Sequence, residues 1–168
     1  MSDWVSQALT DQHQLEAFDS GQADLDRWLV GQALRAHAAG GAHTTVWTAV
    51  GDPLVRAFHA IAPTQFVREE LPSRRLAGGY STVPGYLIAR LALDRELHRQ
   101  GLGSQLLLDA LERIVDAADI AGGRLIAVDA IDQAAHGFYV HHGFRPVAGT
   151  SRLVMKIATA RSVLARRS

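Results

Sequence analysis

The chain reads as a mixed α/β domain around one central sheet, and three observations lead there. The nearly apolar run Pro84 to Leu93, the long amphipathic stretch Gly101 to Ile120 and the second apolar run Leu125 to Ala130 follow one another as strand, helix, strand. Such a crossover makes its two strands parallel and right-handed. Two β-branched and aromatic runs, Thr44 to Val50 and Leu54 to Ala62, flank the turn Gly51-Asp52-Pro53 and form a hairpin. Finally, 168 residues with 48% hydrophobic and 20% charged side chains suffice for one core and are too few for two ordinary domains.

The elements follow in order. Phe18-Asp19-Ser20-Gly21 is a turn that feeds a helix, with Ser20 or Asp24 as its cap and Asp24 and Asp26 at the positive end of its dipole. Leu25, Trp28, Leu29, Gln32, Ala33 and Ala36 recur at helical spacing, and Gly40-Gly41 stop the helix. Trp28 and Leu29 are expected to pack that helix. After the hairpin, residues 63–83 contain Pro63, Pro72, Gly78 and Gly79, together with Arg68, Arg74 and Arg75. They are expected to form a long basic loop, with a short strand inside it as the alternative, of the kind that is usually functional or mobile. In the helix from Gly101, the residues Leu102, Leu106, Leu107, Ala110, Leu111, Ile114, Val115 and Ala118 keep one apolar face, and Gly122-Gly123 end it. Gln133 to His142 is a short helix closed by Gly143, and Phe144 to Val147 and Arg152 to Ile157 are two antiparallel strands. Residues 158–168 form a basic C-terminal tail after a single domain spanning 1–157.

Composition excludes several functions. There is no cysteine, so a disulfide framework, a thiolate zinc site and a cysteine nucleophile are all ruled out. Lys+Arg and Asp+Glu are both 17, so there is no chain-wide basic field for nucleic acid, although a local patch is allowed. No apolar run approaches the roughly 20 residues of a membrane span. The start lacks a basic segment followed by an apolar one, so no signal peptide is read and a soluble, cytoplasmic protein with no membrane partner is expected. The eight histidines do not form a zinc pattern. His136, His141 and His142 lack the i, i+4 arrangement, and no metal is expected.

The sharpest chemical feature is Asp94 to Ser104, DRELHRQGLGS. A buried strand ends, a polar loop follows, and Gly101-Leu102-Gly103-Ser104 opens a long helix. Glycines let the backbone approach a ligand, and helix-start N–H groups converge on an anion. This suits a phosphate or pyrophosphate cradle, with His98, Arg99 and Ser104 as added donors. Position 106 is Leu106, so the dinucleotide fingerprint is not met, and no lysine follows the glycines as a P-loop requires. A second feature is Gly137 to Phe144, GFYVHHGF. Phe138 and Phe144 are expected in the core, whereas the hydroxyl of Tyr139 makes it the chemical candidate.

Together these segments resemble the GNAT N-acetyltransferase superfamily. That superfamily has a Gln/Arg-x-x-Gly-x-Gly/Ala loop after its fourth strand and a later Tyr-x-x-x-Gly-Phe segment. Here the first is His98-Arg99-Gln100-Gly101-Leu102-Gly103 and the second runs from Tyr139 to Phe144, about forty residues on. His98 departs from the family's Gln or Arg. Phe18-Asp19-Ser20-Gly21 with Leu25-Asp26-Arg27-Trp28-Leu29, and the strand end Arg90-Leu91-Ala92-Leu93-Asp94, narrow the resemblance to the toxin branch of type II toxin–antitoxin systems.

The resemblance implies a central, mostly antiparallel mixed sheet whose parallel βαβ pair splays at an acetyl-CoA site, flanked by helices. It implies acetyl transfer from acetyl-CoA to the α-amino group of aminoacyl-tRNA, blocking translation, with a ribbon-helix-helix antitoxin as partner. A homodimer fits as well. The antitoxin is expected to silence the toxin with an acidic or amphipathic tail. Holding the cofactor falls to Arg99, Gln100, Gly101, Leu102, Gly103 and Ser104, with the pantetheine arm along Leu91, Ala92 and Leu93. Tyr139 is the candidate general acid for the leaving sulfur. A phenol stays protonated at neutral pH, and a free α-amine, with pKa about 7.7–8.0, needs little help from a base. His59, His98 and His136 are the candidates if one is used. Arg74, Arg75 and Arg90 are the candidate RNA contacts, within a track that also holds Arg68, Arg95 and Arg99. The rival readings are acetylation of a small or peptide amine and a non-catalytic acyl-CoA-binding module.

Overall fold

Alternation of apolar side chains sets the strands, and seven of them form in the computed structural model, which describes residues 3–167. They are β1 (Trp4–Ala8), β2 (His43–Ala49), β3 (Val55–Val67), β4 (Thr82–Leu93), β5 (Leu125–Asp129), β6 (Arg145–Pro146) and β7 (Arg152–Lys156), in the sheet order β1-β2-β3-β4-β5-β7-β6. The helices are α1 (Ala23–Gly31), α2 (Ala33–Ala39), α3 (Leu102–Ala121), α4 (Gln133–His141) and α5 (Ile157–Arg167). β4 and β5 run parallel, from Gly85 opposite Leu125 to Ile88 opposite Val128. The registers of β1 with β2, β2 with β3, β5 with β7 and β6 with β7 are antiparallel. This is the mixed sheet that the crossover and hairpin predict.

Two compact units divide the chain: residues up to Ala62 with Ala89–Ala110, and Pro63–Ile88 with the residues from Leu111 onward. In the first, consecutive strand residues point to opposite faces. Val46, Phe58 and Ala92 join Leu9, Phe18, Leu29 and Ala33 in one apolar layer. Trp47, Ala57 and Leu106 form the other, with Trp4, Leu91, Leu93 and Leu102 against them. Trp28 stacks on Phe58 with centroids 6.1 Å apart, the packing role expected of it.

The predicted helix is broken at Gln32 (φ −133°), just after Gly31, a poor helix former. Neither Ser20 nor Asp24 caps it. Gln22 is the N-cap without a side-chain bond, and Asp26 instead accepts from the backbone N–H and the hydroxyl of Ser20, at 3.1 and 2.6 Å. β1 was not anticipated from the sequence, because only five residues at the sheet edge carry its pattern.

In the second unit Phe66, Val83, Leu125, Ala127 and Val154 make the core together with Leu76 and Ala77. Residues 63–83 are therefore only in part the long loop that their prolines and glycines predict, and the short strand allowed there is the end of β3. β3 continues through the exposed Pro63 to Val67, and 3₁₀ turns follow at Arg68–Glu70 and Arg74–Ala77. Proline is tolerated in a strand wherever its missing N–H is not needed by the ladder, and buried Leu76 and Ala77 anchor the turn. The C-terminal segment is also ordered. α5 buries Ile157 and Ala160, and its Arg161 and Arg167 pair with Asp119 and Glu112 of α3.

Candidate active site

The junction between β4 and α3 is shaped by its own polar side chains. Asp94 is only 5% exposed, and its carboxylate accepts from the backbone N–H of Asp19 (3.2 Å) and of Glu96 (3.0 Å). Arg95 donates from its backbone to the Asp19 carbonyl and from its guanidinium to the Asp19 carboxylate, at 2.8 and 3.0 Å. The Phe18 to Gly21 motif and the strand end Leu91 to Asp94 are thus locked together. The chain then makes a 3₁₀ turn, Arg95–Leu97, and passes through two left-handed residues, Arg99 (φ 65°) and Gly101 (φ 77°). Arg99 is the only non-glycine residue with positive φ among the described residues. For a side chain with a Cβ that conformation costs about 1–2 kcal/mol, and such strain clusters at ligand sites.

Immediately after, α3 starts at Leu102, and its first turn leaves N–H groups without partners inside the helix. Gly101 is exposed, and a Cβ there would meet nothing within 4 Å. An open backbone at a helix start is the chemistry a pyrophosphate requires. Leu91 and Leu93 turn their side chains to the Trp47 layer and Ala92 to the Phe58 layer, so what this strand end offers a ligand is backbone.

Tyr139 lies on α4, whose N-cap Asp132 accepts from Ala135 N–H at 2.8 Å. It is 8% exposed, and Phe138 and Phe144 meet its ring edge-on at 5.3 and 5.5 Å. The Gly143 turn (φ 97°) sets this packing, with Phe144 N–H bonded to the Tyr139 carbonyl at 3.0 Å. Burial disfavours the phenolate and pushes the Tyr139 pKa up to about 12. The hydroxyl is therefore a firm hydrogen-bond donor throughout the neutral range.

Residues 44–146 match the family model of the acetyltransferase (GNAT) domain. The chain belongs to the GNAT acetyltransferase family. A tRNA-acetylating toxin of Mycobacterium tuberculosis is 38% identical over 136 residues, 81% of each chain. Among solved structures, AtaT in complex with acetyl-methionyl-tRNAfMet is 26% identical with a TM-score of 0.88, over 96% of this chain and 99% of that one. AtaTR bound with acetyl-CoA is 25% identical with a TM-score of 0.86, over 97% and 99%.

Within this GNAT acetyltransferase the predicted residues divide by unit. Leu91 to Ser104 and Arg90 lie in the first, whereas Tyr139, Arg74 and Arg75 lie in the second. Arg74 and Arg75 are exposed on their 3₁₀ turn and make no ion pair among the described residues, whereas Arg68 pairs with Glu69. Arg90 is engaged locally. Its guanidinium lies 4.7 Å from the Trp28 ring centroid and donates to the Ala89 carbonyl. Among the candidate bases, His59 is fully buried with Nε2 2.9 Å from Asp109, so as placed it is closed to an incoming amine.

Sequence reasoning missed three positioning groups. Asp109 of α3 accepts at one oxygen from Ser6 (2.8 Å), Trp47 (3.4 Å) and His59, thereby tying α3 to β1, β2 and β3. Asp94 opens the polar loop in the sequence, but its grip on the backbone of Asp19 has no local signal. Arg124 donates to the carbonyls of Leu76 (3.0 Å) and Arg75 (3.3 Å) and holds the basic turn. A carboxylate beside the apolar face of α3 and a histidine between Phe58 and Ala60 were the available signals for the first. Among the described residues no three His, Asp or Glu side chains gather as a metal site would need, and no helix is long and apolar enough to cross a membrane.

Proposed function

We propose that this protein is an acetyl-CoA-dependent N-acetyltransferase toxin that acetylates the α-amino group of aminoacyl-tRNA, blocks translation, and is neutralised by a ribbon-helix-helix antitoxin in the cytoplasm. We take residues 1–157 as one acetyltransferase domain, with 158–168 as a basic C-terminal extension. The observation that carries the reading is the junction Leu91 to Ser104. Its chain is exposed over His98 to Gly101, strained at Arg99 and open at Gly101 just before α3, in a chain whose relative is a tRNA-acetylating toxin.

Acetyl-CoA supplies an acyl group activated as a thioester. The N–H groups of residues 99–104 hold its pyrophosphate, and the backbone of Leu91 to Leu93 holds its pantetheine arm. Tyr139 donates a hydrogen bond to the departing sulfur. With its pKa near 12, above the roughly 8.5 of a thiol, Tyr139 stabilises that charge without giving up its proton for good. The proton that ends on the thiol is the one lost by the acylated amine. An α-amine, about 7.7–8.0 when free, is partly neutral at pH 7, so no strong base is needed. Arg74, Arg75 and Arg90 supply cations for the RNA backbone, Arg90 while stacked on Trp28.

The test is incubation with labelled acetyl-CoA and either total charged tRNA or a panel of small amines. Label on the aminoacyl group of tRNA is expected. Transfer to small amines alone would make this a small-molecule acetyltransferase, and tight CoA binding with no transfer a binding module.

A further inference from the structure

We propose that His98 is a positioning residue for acetyl-CoA, tying the cradle loop to the end of β4. The inference rests on the assignment of Leu91 to Ser104 as the cofactor site. His98 stands where the family pattern has Gln or Arg, and its exposed side chain folds back to the end of β4. Its Nε2 lies 2.8 Å from the carbonyl oxygen of Leu93, the last residue of β4. A carbonyl only accepts, so Nε2 carries the proton and Nδ1 of the neutral ring has none to give to a phosphate. The bond closes a short ring, Leu93 to His98, around a turn already fixed by Asp94 on Glu96 N–H and by Leu97 N–H on the Asp94 carbonyl (2.9 Å). One end of the hook is rigid, because Leu93 packs into the Trp47 layer. The other end is the residue immediately before left-handed Arg99.

A strained residue keeps its conformation only where its surroundings over-determine it. The hook supplies that restraint in the free enzyme, so the N–H groups beyond it are aimed before ligand arrives. Without it, ordering of the loop is charged to binding.

The experiment is calorimetric titration of CoA into the full chain as wild type, His98→Ala, His98→Gln and Gly101→Val, with melting temperatures and steady-state KM and kcat alongside. Loss of one net hydrogen bond predicts about three- to tenfold weaker CoA binding in His98→Ala. The KM for acetyl-CoA should rise in parallel, with kcat and melting temperature near wild type. His98→Gln, whose amide can donate to the same carbonyl, should recover most of the affinity. Wild-type affinity in His98→Ala while Gly101→Val binds weakly would overturn the hook and leave the cofactor site standing. Wild-type affinity in both would remove the site and the hook with it. A His98→Ala variant that melts well below wild type and is not rescued by His98→Gln would make His98 structural only, again overturning the proposal.

Discussion

The connection from β4 to α3 and the connection from β3 to β4 are both polar and arginine-bearing, yet they are built in opposite ways. The first, in one unit, buries a carboxylate, Asp94, and uses it and His98 to grip backbone groups. Its product is a shaped, exposed main chain. The second, in the other unit, buries apolar side chains, Leu76 and Ala77, and is gripped from outside by Arg124. Its product is a pair of exposed side chains, Arg74 and Arg75. A main-chain cradle reads one phosphate group at close range and depends on dihedral angles. A side-chain pair offers charge over a wider reach and depends on little more than its anchor. The two connections should therefore fail differently when altered.

The largest expected effect lies outside both. Tyr139→Phe keeps the ring and its edge-on contacts and removes one hydroxyl, so turnover should fall by about 10²–10⁴-fold. CoA affinity by calorimetry should be unchanged. Turnover at the wild-type level would take Tyr139 out of the mechanism.

The next effects separate the two connections. Arg74→Glu/Arg75→Glu should lower tRNA acetylation roughly tenfold or more at low salt, the loss shrinking as salt rises. CoA affinity and any transfer to a small amine should stay as in wild type, measured in the same assay. Gly101→Val should do the reverse. A β-branched residue at φ 77° reshapes the cradle, and CoA binding should weaken about tenfold or more. Gly78→Val is the matching change in the other connection. A Cβ at Gly78 would sit 2.2 Å from Arg124 Cζ, so the guanidinium must leave the carbonyls of Leu76 and Arg75. That variant should lose tRNA acetylation and keep CoA affinity. If the Gly78 and Gly101 variants have the same profile, the division between backbone and side-chain function is wrong.

The smallest effect is on alkaline stability. Tyr139 is buried as a neutral phenol, and its folded pKa, about 12, lies above its unfolded value of about 10. Its stabilising contribution is therefore complete below pH 10 and is lost as pH rises toward 12, at about 1.4 kcal/mol per pH unit. Urea midpoints measured from pH 9 to 11 should fall less steeply for Tyr139→Phe than for wild type. Identical slopes would mean that the hydroxyl is solvated.

Local pattern was enough for much of this protein. The apolar run of β4, the heptad-like face of α3 and the glycines between them are consecutive in the chain. The backbone conformations they permit depend on near neighbours, so the candidate cradle was legible as a sequence. The Tyr139 to Phe144 segment was legible for the same reason, since a helix, a glycine stop and a strand start occupy six residues. Tertiary structure alone decided what restrains those pieces. Ser6 and His59 reach Asp109 across 103 and 50 positions, Asp19 reaches Asp94 across 75, and Arg124 reaches Leu76 across 48. A hydrogen bond between such distant residues leaves no periodicity behind. The order of residues 63–83 and of α5 was hidden likewise, because prolines, glycines and arginines predict a loop or tail until Leu76, Ala77, Ile157 and Ala160 find a core to enter. Residue type and spacing determined which groups this enzyme has for chemistry. Burial and long-range hydrogen bonds, which exist only once the chain has folded, decided which of them are held still.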